Sequence, residues 1–134
     1  MEYKEIKDHY MSGQLHRHRL LDESGCKYGE YRRYHENGQL FWHYFSSRNS
    51  SYGEVKVFND EGALRYHFLK CSKGNVLAST TNDGKPDKHS EEQLIQIAKE
   101  HNLPLLSEMP NTEAERTLWN LKWPDLPLLP IESE

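Results

Sequence analysis

Tyr28-Gly29-Glu30-Tyr31-Arg32-Arg33-Tyr34-His35-Glu36-Asn37-Gly38-Gln39-Leu40 decides how this chain folds. A β-favouring aromatic run is followed by an Asn-Gly turn signal and a second aromatic run, Phe41 to Phe45, and that order spells a β-hairpin. The opening recurs 24 residues later as Tyr52-Gly53-Glu54-Val55-Lys56-Val57-Phe58, and Glu36 to Leu40 recurs as Asp60-Glu61-Gly62-Ala63-Leu64. A weaker copy lies 25 residues upstream, where Tyr3, Glu5, Lys7, Gly13, Gln14 and Leu15 match Tyr28, Glu30, Arg32, Gly38, Gln39 and Leu40. Three copies predict six antiparallel strands in meander order, over residues 3–10, 15–21, 28–35, 39–45, 52–59 and 63–69. A seventh over 75–80 is left open. Each turn is read as two residues with glycine second: Ser12-Gly13, Asn37-Gly38 and Glu61-Gly62. Between the copies, Asp22 to Lys27 and Ser46 to Ser51 read as polar loops.

The rest of the chain has a different chemistry. Of 134 residues, all eight glycines lie at or before Gly84, and all six prolines at or after Pro86. Residues 1–84 carry a formal charge of +1 and residues 85–134 one of −5, which make up the stated −4. The break predicts a β-hairpin sheet over 1–84 and a helical C-terminal segment over 85–134 packed on it, joined by a connector from Thr81 to Asp87. Ser90 with Gln93 has capping-box spacing and opens a helix in which Leu94, Ile97, Ala98 and His101 share a face. Thr112 with Glu115 repeats that signal ahead of Ala114, Leu118 and Leu121. The tail from Trp123 to Ile131, with three prolines and four aliphatics, reads as extended, docked either on its own sheet or in a partner's groove. The fold class is therefore α+β: an antiparallel meander of three hairpin repeats with two C-terminal helices and an extended tail.

The pattern Tyr-Gly-Glu-Tyr-x-x-Tyr-x-x-Asn-Gly-Gln-Leu at 28–40, echoed at 52–64, resembles the MORN-variant repeats of the YwqK-type antitoxin family. The resemblance covers roughly residues 3–70 and implies stacked β-hairpins without catalytic machinery, whose role is to bind and neutralise a protein partner. The first copy departs from the pattern, since Tyr3 is followed by Lys4 rather than glycine, and the helical segment lies outside it.

Turn arithmetic gives every strand residue a face. One face collects Ile6, Leu15, Tyr31, Leu40, Trp42, Tyr44, Val55, Val57, Leu64, Tyr66 and Phe68, and its apolar character marks it as the side that the helices cover. The other carries a basic stripe, Lys7, His18, Arg32, His43, Lys56 and His67, with Glu5, Glu30 and Glu54 alternating with Leu20, Phe45 and Leu69 on one side of it. On its other side lie His9, His16, Tyr34, Phe41, Phe58 and Arg65. Aromatic groups on a solvent face call for a cover, so this stripe, with Tyr34, Phe41, Phe58 and Arg65, is the expected partner-binding surface.

Other chemistries have less support. Equivalent histidines lie two strands, about 9.6 Å, apart, too far to share one zinc ion; His9, His16 and His18 remain the one candidate group, with surface imidazoles the default. Cys26 and Cys71 follow no metal or catalytic spacing and read as reduced thiols. No enzyme activity, cofactor or metal is expected. No apolar run approaches a membrane span and the N-terminus carries no apolar leader, so a cytoplasmic protein is expected, as monomer or homodimer. The function read from the sequence is a non-catalytic module that binds and inhibits a protein with an acidic surface, as an antitoxin or immunity protein, or as a host-directed inhibitor made by a mobile element. The alternative is a single-stranded nucleic-acid or nucleotide-binding protein using the same basic and aromatic face.

Overall fold

The computed structural model describes residues 2–81 and 88–130. Seven strands form one antiparallel sheet in chain order: β1 Lys4–His9, β2 Leu15–Leu21, β3 Gly29–Tyr34, β4 Leu40–Ser47, β5 Ser50–Phe58, β6 Leu64–Lys70 and β7 Val76–Ser79. Two helices follow, α1 Glu91–Glu100 and α2 Glu113–Lys122, separated by a short 3₁₀ turn at Leu106–Glu108. The α+β meander expected from the sequence is therefore present, and β7 completes it. Of the expected connector only Thr81 lies within the described residues, and Ile131 of the tail lies outside them. Among the described residues no helix is long and apolar enough to cross a membrane.

Ser90 caps α1 through a reciprocal pair, in which its hydroxyl accepts the Gln93 amide and the Gln93 side chain accepts the Ser90 amide. Thr112 accepts the Glu115 amide at the start of α2.

The register matches the turn arithmetic in the middle of each hairpin: Lys7 faces His18, Arg32 faces His43, and Lys56 faces His67. It departs near the turns. The expected two-residue turns are four-residue turns, closed by Gly13, Gly38 and Gly62 donating to the carbonyls of Tyr10, His35 and Asn59. The glycine has positive φ, and a bulge follows it, so Leu40 stands opposite Tyr34 instead of Phe41. The same shift puts Leu15 opposite His9 and Leu64 opposite Phe58 and ends the strict alternation assumed for Leu15, Leu40 and Leu64. Ser46 to Ser51 is not a loop: β4 and β5 continue to a two-residue turn at Arg48-Asn49, whose φ values of 46° and 71° suit the sheet's twist.

The helices lie on the opposite face from the expected one. Leu69 packs with Leu94, Ala98, Leu103 and Leu105, while Phe45 packs with Leu106, Trp119, Leu126 and Leu128. The Trp42 face instead packs on itself, with Tyr31, Tyr44 and Val55 buried among Trp42, Val57 and Phe68. The apolar count misled because cross-strand stacking satisfies that face internally: the Tyr31 and Tyr44 rings lie 4.6 Å apart and Lys27 Nζ sits 4.7 Å above Tyr31. Within α2 the inward residue is Trp119, and Leu118 and Leu121 point to solvent at 67% and 76% exposure.

Candidate functional site

Two sheet faces could carry function, and one of them is filled by the chain itself. At both Tyr-Gly-Glu sites the ladder to the preceding strand is interrupted. Pairing of β2 with β3 is limited to Arg17 with Arg33 and His18 with Arg32, and pairing of β4 with β5 is irregular between His43 and Phe45. A proline carbonyl enters each gap: the Glu30 amide donates to Pro127 O at 2.8 Å, and the Glu54 amide to Pro104 O at 3.0 Å. The carboxylates complete the grip, Glu30 Oε1 accepting the Leu129 amide at 3.0 Å and Glu54 Oε1 the Leu106 amide at 2.7 Å. Glycine is required because the chains touch. A Cβ at Gly29 would lie 1.9 Å from Pro127 O, and one at Gly53 2.5 Å from Pro104 O.

The two docked segments are Leu103-Pro104-Leu105-Leu106 and Leu126-Pro127-Leu128-Leu129, the same four residues 23 positions apart, each following a helix. The sequence reading missed this copy. The identical tetrapeptides are its signal, and they lie outside the hairpin pattern. Lys4 occupies the glycine position of the first copy, and among the described residues no such segment reaches Glu5.

The expected basic stripe lies on this covered side. His18 and His67 are 2% exposed, and Glu30 and Glu54 are as deeply buried. His18 Nε2 meets Glu5 at 2.6 Å, His43 Nε2 meets Glu30 at 3.0 Å and His67 Nε2 meets Glu54 at 2.5 Å. Arg32 Nε donates to Glu30 at 2.6 Å, and Lys56 stands 3.9 Å from Glu54. An ionised carboxylate only accepts, so Nε2 of His67 holds a proton, and the Thr80 hydroxyl lies 3.0 Å from Nδ1 on the other side of the ring.

Burial alone would raise both glutamates. The histidine hydrogen bonds, the nearby cations and the docked amides outweigh it, and both carboxyls fall below their usual value. From His18 to His67 the stripe is therefore largely an internal clamp; the sequence reading placed it outside because charge was taken to mean solvent, whereas the three histidines, Arg32 and Lys56 each meet a glutamate. Lys7 and Arg65 are exposed. Tyr34 accepts the Tyr10 hydroxyl on its carbonyl and Phe58 O contacts His35 Nε2, both contacts between neighbouring hairpins, while Phe41 stacks on His35 at 4.3 Å within its own hairpin. His16 stacks on Tyr10 at 4.1 Å. Among the described residues no three His, Cys, Asp or Glu side chains are grouped to hold a metal ion.

The other face is open, and neither helix contributes to its cluster. Asp8, Arg17, Arg33, Trp42, Val57 and Tyr66 succeed one another as directly paired residues across β1 to β6. Asp8 bonds to Arg17 at 3.1 Å and to Arg19, and the Arg19 hydrogen bond leads the effects that pull its carboxyl down. Tyr66 is 41% exposed. A groove of about 500 Å³ continues from Trp42 and Tyr44 to Asn49, Lys70 and Lys73.

No protein-family model, no curated protein and no solved structure matches this chain.

Proposed function

We propose that this protein is a non-catalytic binding module that engages and inhibits a protein partner with an acidic surface, using the open face of its sheet. The observation that carries the reading is the cross-strand row from Arg17 through Arg33 and Trp42 to Tyr66, on a face where two arginines adjoin aromatic rings and, among the described residues, the cluster is formed by sheet residues. Arg17 and Arg19 share a single carboxylate, Asp8, while Lys27 lies in the field of both arginines and Arg33 pairs directly with Arg17. Aromatic and arginine side chains are the residue types that dominate binding energy at protein interfaces, and an excess of one charge sign selects the opposite sign in the partner. The resemblance of residues 3–70 to MORN-variant hairpin repeats supports the same role, as an antitoxin or immunity protein or a host-directed inhibitor of a mobile element.

Affinity capture from the native cell, with the wild type and Arg33→Glu side by side, tests this. The wild type is expected to retain a protein that Arg33→Glu loses, and to lower that protein's activity when added to it. Equal retention by both overturns the reading. Rings beside arginines also suit single-stranded nucleic acid; oligonucleotide binding that falls steeply with salt, with no protein captured, would favour that second reading.

A further inference from the structure

Three side-chain donors on the open face, Arg17 Nε, Arg33 Nε and Trp42 Nε1, are shielded from solvent and have no hydrogen-bond partner among the described residues. They are not scattered. Arg17 pairs directly with Arg33, and Arg33 with Trp42, so the three stand on adjacent strands at one level of the sheet. Buried donors without acceptors are uncommon, and because the three side chains are themselves partly exposed, a small rotation of each turns its donor toward an acceptor brought from outside. We propose that the Arg17–Arg33–Trp42 row is a seat for side-chain carboxylates of a glutamate- or aspartate-rich segment of a partner protein.

The chain shows the chemistry at the end of the same row. Asp8, paired with Arg17, takes both the Arg17 and Arg19 guanidinium groups on one oxygen. A carboxylate accepts only, matches the planar guanidinium fork and can accept an indole N–H, so it satisfies all three orphan donors. The surroundings are electropositive: burial is the larger cause that holds His16 below its usual pKa, and Arg33 and Arg17 add to it. Beyond Trp42 the groove with Lys70 and Lys73 continues the seat for further acidic residues.

This inference rests on the open-face reading above and names the ligand chemistry within it. The test is a proton–nitrogen correlation spectrum of the full chain, titrated with a ten-residue poly-glutamate peptide, with poly-glutamine and a ten-nucleotide poly-dT as the other arms. Trp42 Nε1–H and the Nε–H signals of Arg17 and Arg33 are expected to move with poly-glutamate. Trp119 Nε1–H, already bonded to Leu126 O at 2.9 Å, is the internal reference and stays in place. Trp42→Phe keeps a ring and removes the donor, and is expected to weaken peptide binding severalfold; Arg33→Gln is expected to weaken it tenfold or more. Equal shifts with poly-glutamine, no shifts at all, or larger shifts with poly-dT each overturn the carboxylate seat. A captured partner that survives Trp42→Phe and Arg33→Gln but is lost with Tyr66→Ser would leave the binding function standing while removing this seat.

Discussion

The Leu129 amide donates to the Glu30 carboxylate across 99 residues of sequence, and the Leu106 amide makes the same bond to Glu54 across 52. The chain thus runs out along the sheet and returns over it. The first Leu-Pro-Leu-Leu segment grips the site at Gly53, and the second grips the earlier one at Gly29. Successive sites on the sheet are 24 residues apart and successive segments 23, so the return path keeps step with the outward one. Because this fills one face with the chain's own leucines, the Trp42 face is the one left open.

Gly29→Ala and Gly53→Ala test the close approach. The new methyl would strike a backbone carbonyl while the backbone stays at a positive φ, so each is expected to destabilise the fold by about 2–4 kcal/mol, from strain plus the displaced proline segment. Gly13→Ala is the control, since it shares the positive φ but meets nothing within 4 Å, and about 1 kcal/mol is expected. Urea denaturation of the three variants measures the difference; equal losses would remove the steric argument.

Truncating a gripping carboxylate leaves the docked amide and the histidine without a partner. Glu54→Ala is expected to cost about 3 kcal/mol, as does breaking a buried charge pair elsewhere. Hydrogen exchange at the Leu106 amide is expected to speed up, while that at Leu129, held by Glu30, changes far less. Uniform acceleration at both amides would show that the two docks are one cooperative unit.

Acid is expected to loosen both docks. Glu30 and Glu54 sit below the reference value of 4.5, so the folded state holds their protons less tightly than the unfolded chain does. Their contribution is complete above about pH 5 and is lost as pH falls from about 4.5 through their lowered folded values. Chemical denaturation from pH 3 to pH 7 is the measurement. In Glu30→Gln and Glu54→Gln the acid limb is expected to flatten, and an unchanged slope would assign the acid sensitivity to other carboxylates.

The sheet was legible because its information is local. Glycine turn signals and alternating residues fix register within a hairpin, and Arg32 stands opposite His43 as the arithmetic requires. The covered side was not legible, because it depends on a long-range fit: Glu30 becomes an inward residue only once Leu129 arrives. The candidate stripe was found as a row and misread as a surface, for the pairing of His67 with Glu54 turns two solvent-loving groups into buried ones. The open-face row is not legible in any one hairpin, because Arg17 and Arg33 belong to different copies and only the pairing of β2 with β3 joins them.

Trp119 and its helix neighbours give the sharpest test of which side of α2 faces inward. A leucine-based reading makes Leu118 and Leu121 core residues; the structure makes them solvent-exposed and puts Trp119 against Phe45, ring centres 5.3 Å apart, with its indole on Leu126 O. Trp119→Ala is expected to cost about 3–5 kcal/mol, by removing that packing and leaving a void beneath the second dock. Leu118→Ser and Leu121→Ser are expected to stay within about 0.5 kcal/mol of the wild type, since neither residue is inside. Thermal melts of the three variants decide the matter. Should the leucine variants lose as much stability as Trp119→Ala, the helix is turned the other way, and the grip of the second Leu-Pro-Leu-Leu segment, which Trp119 helps to hold, would have to be redrawn.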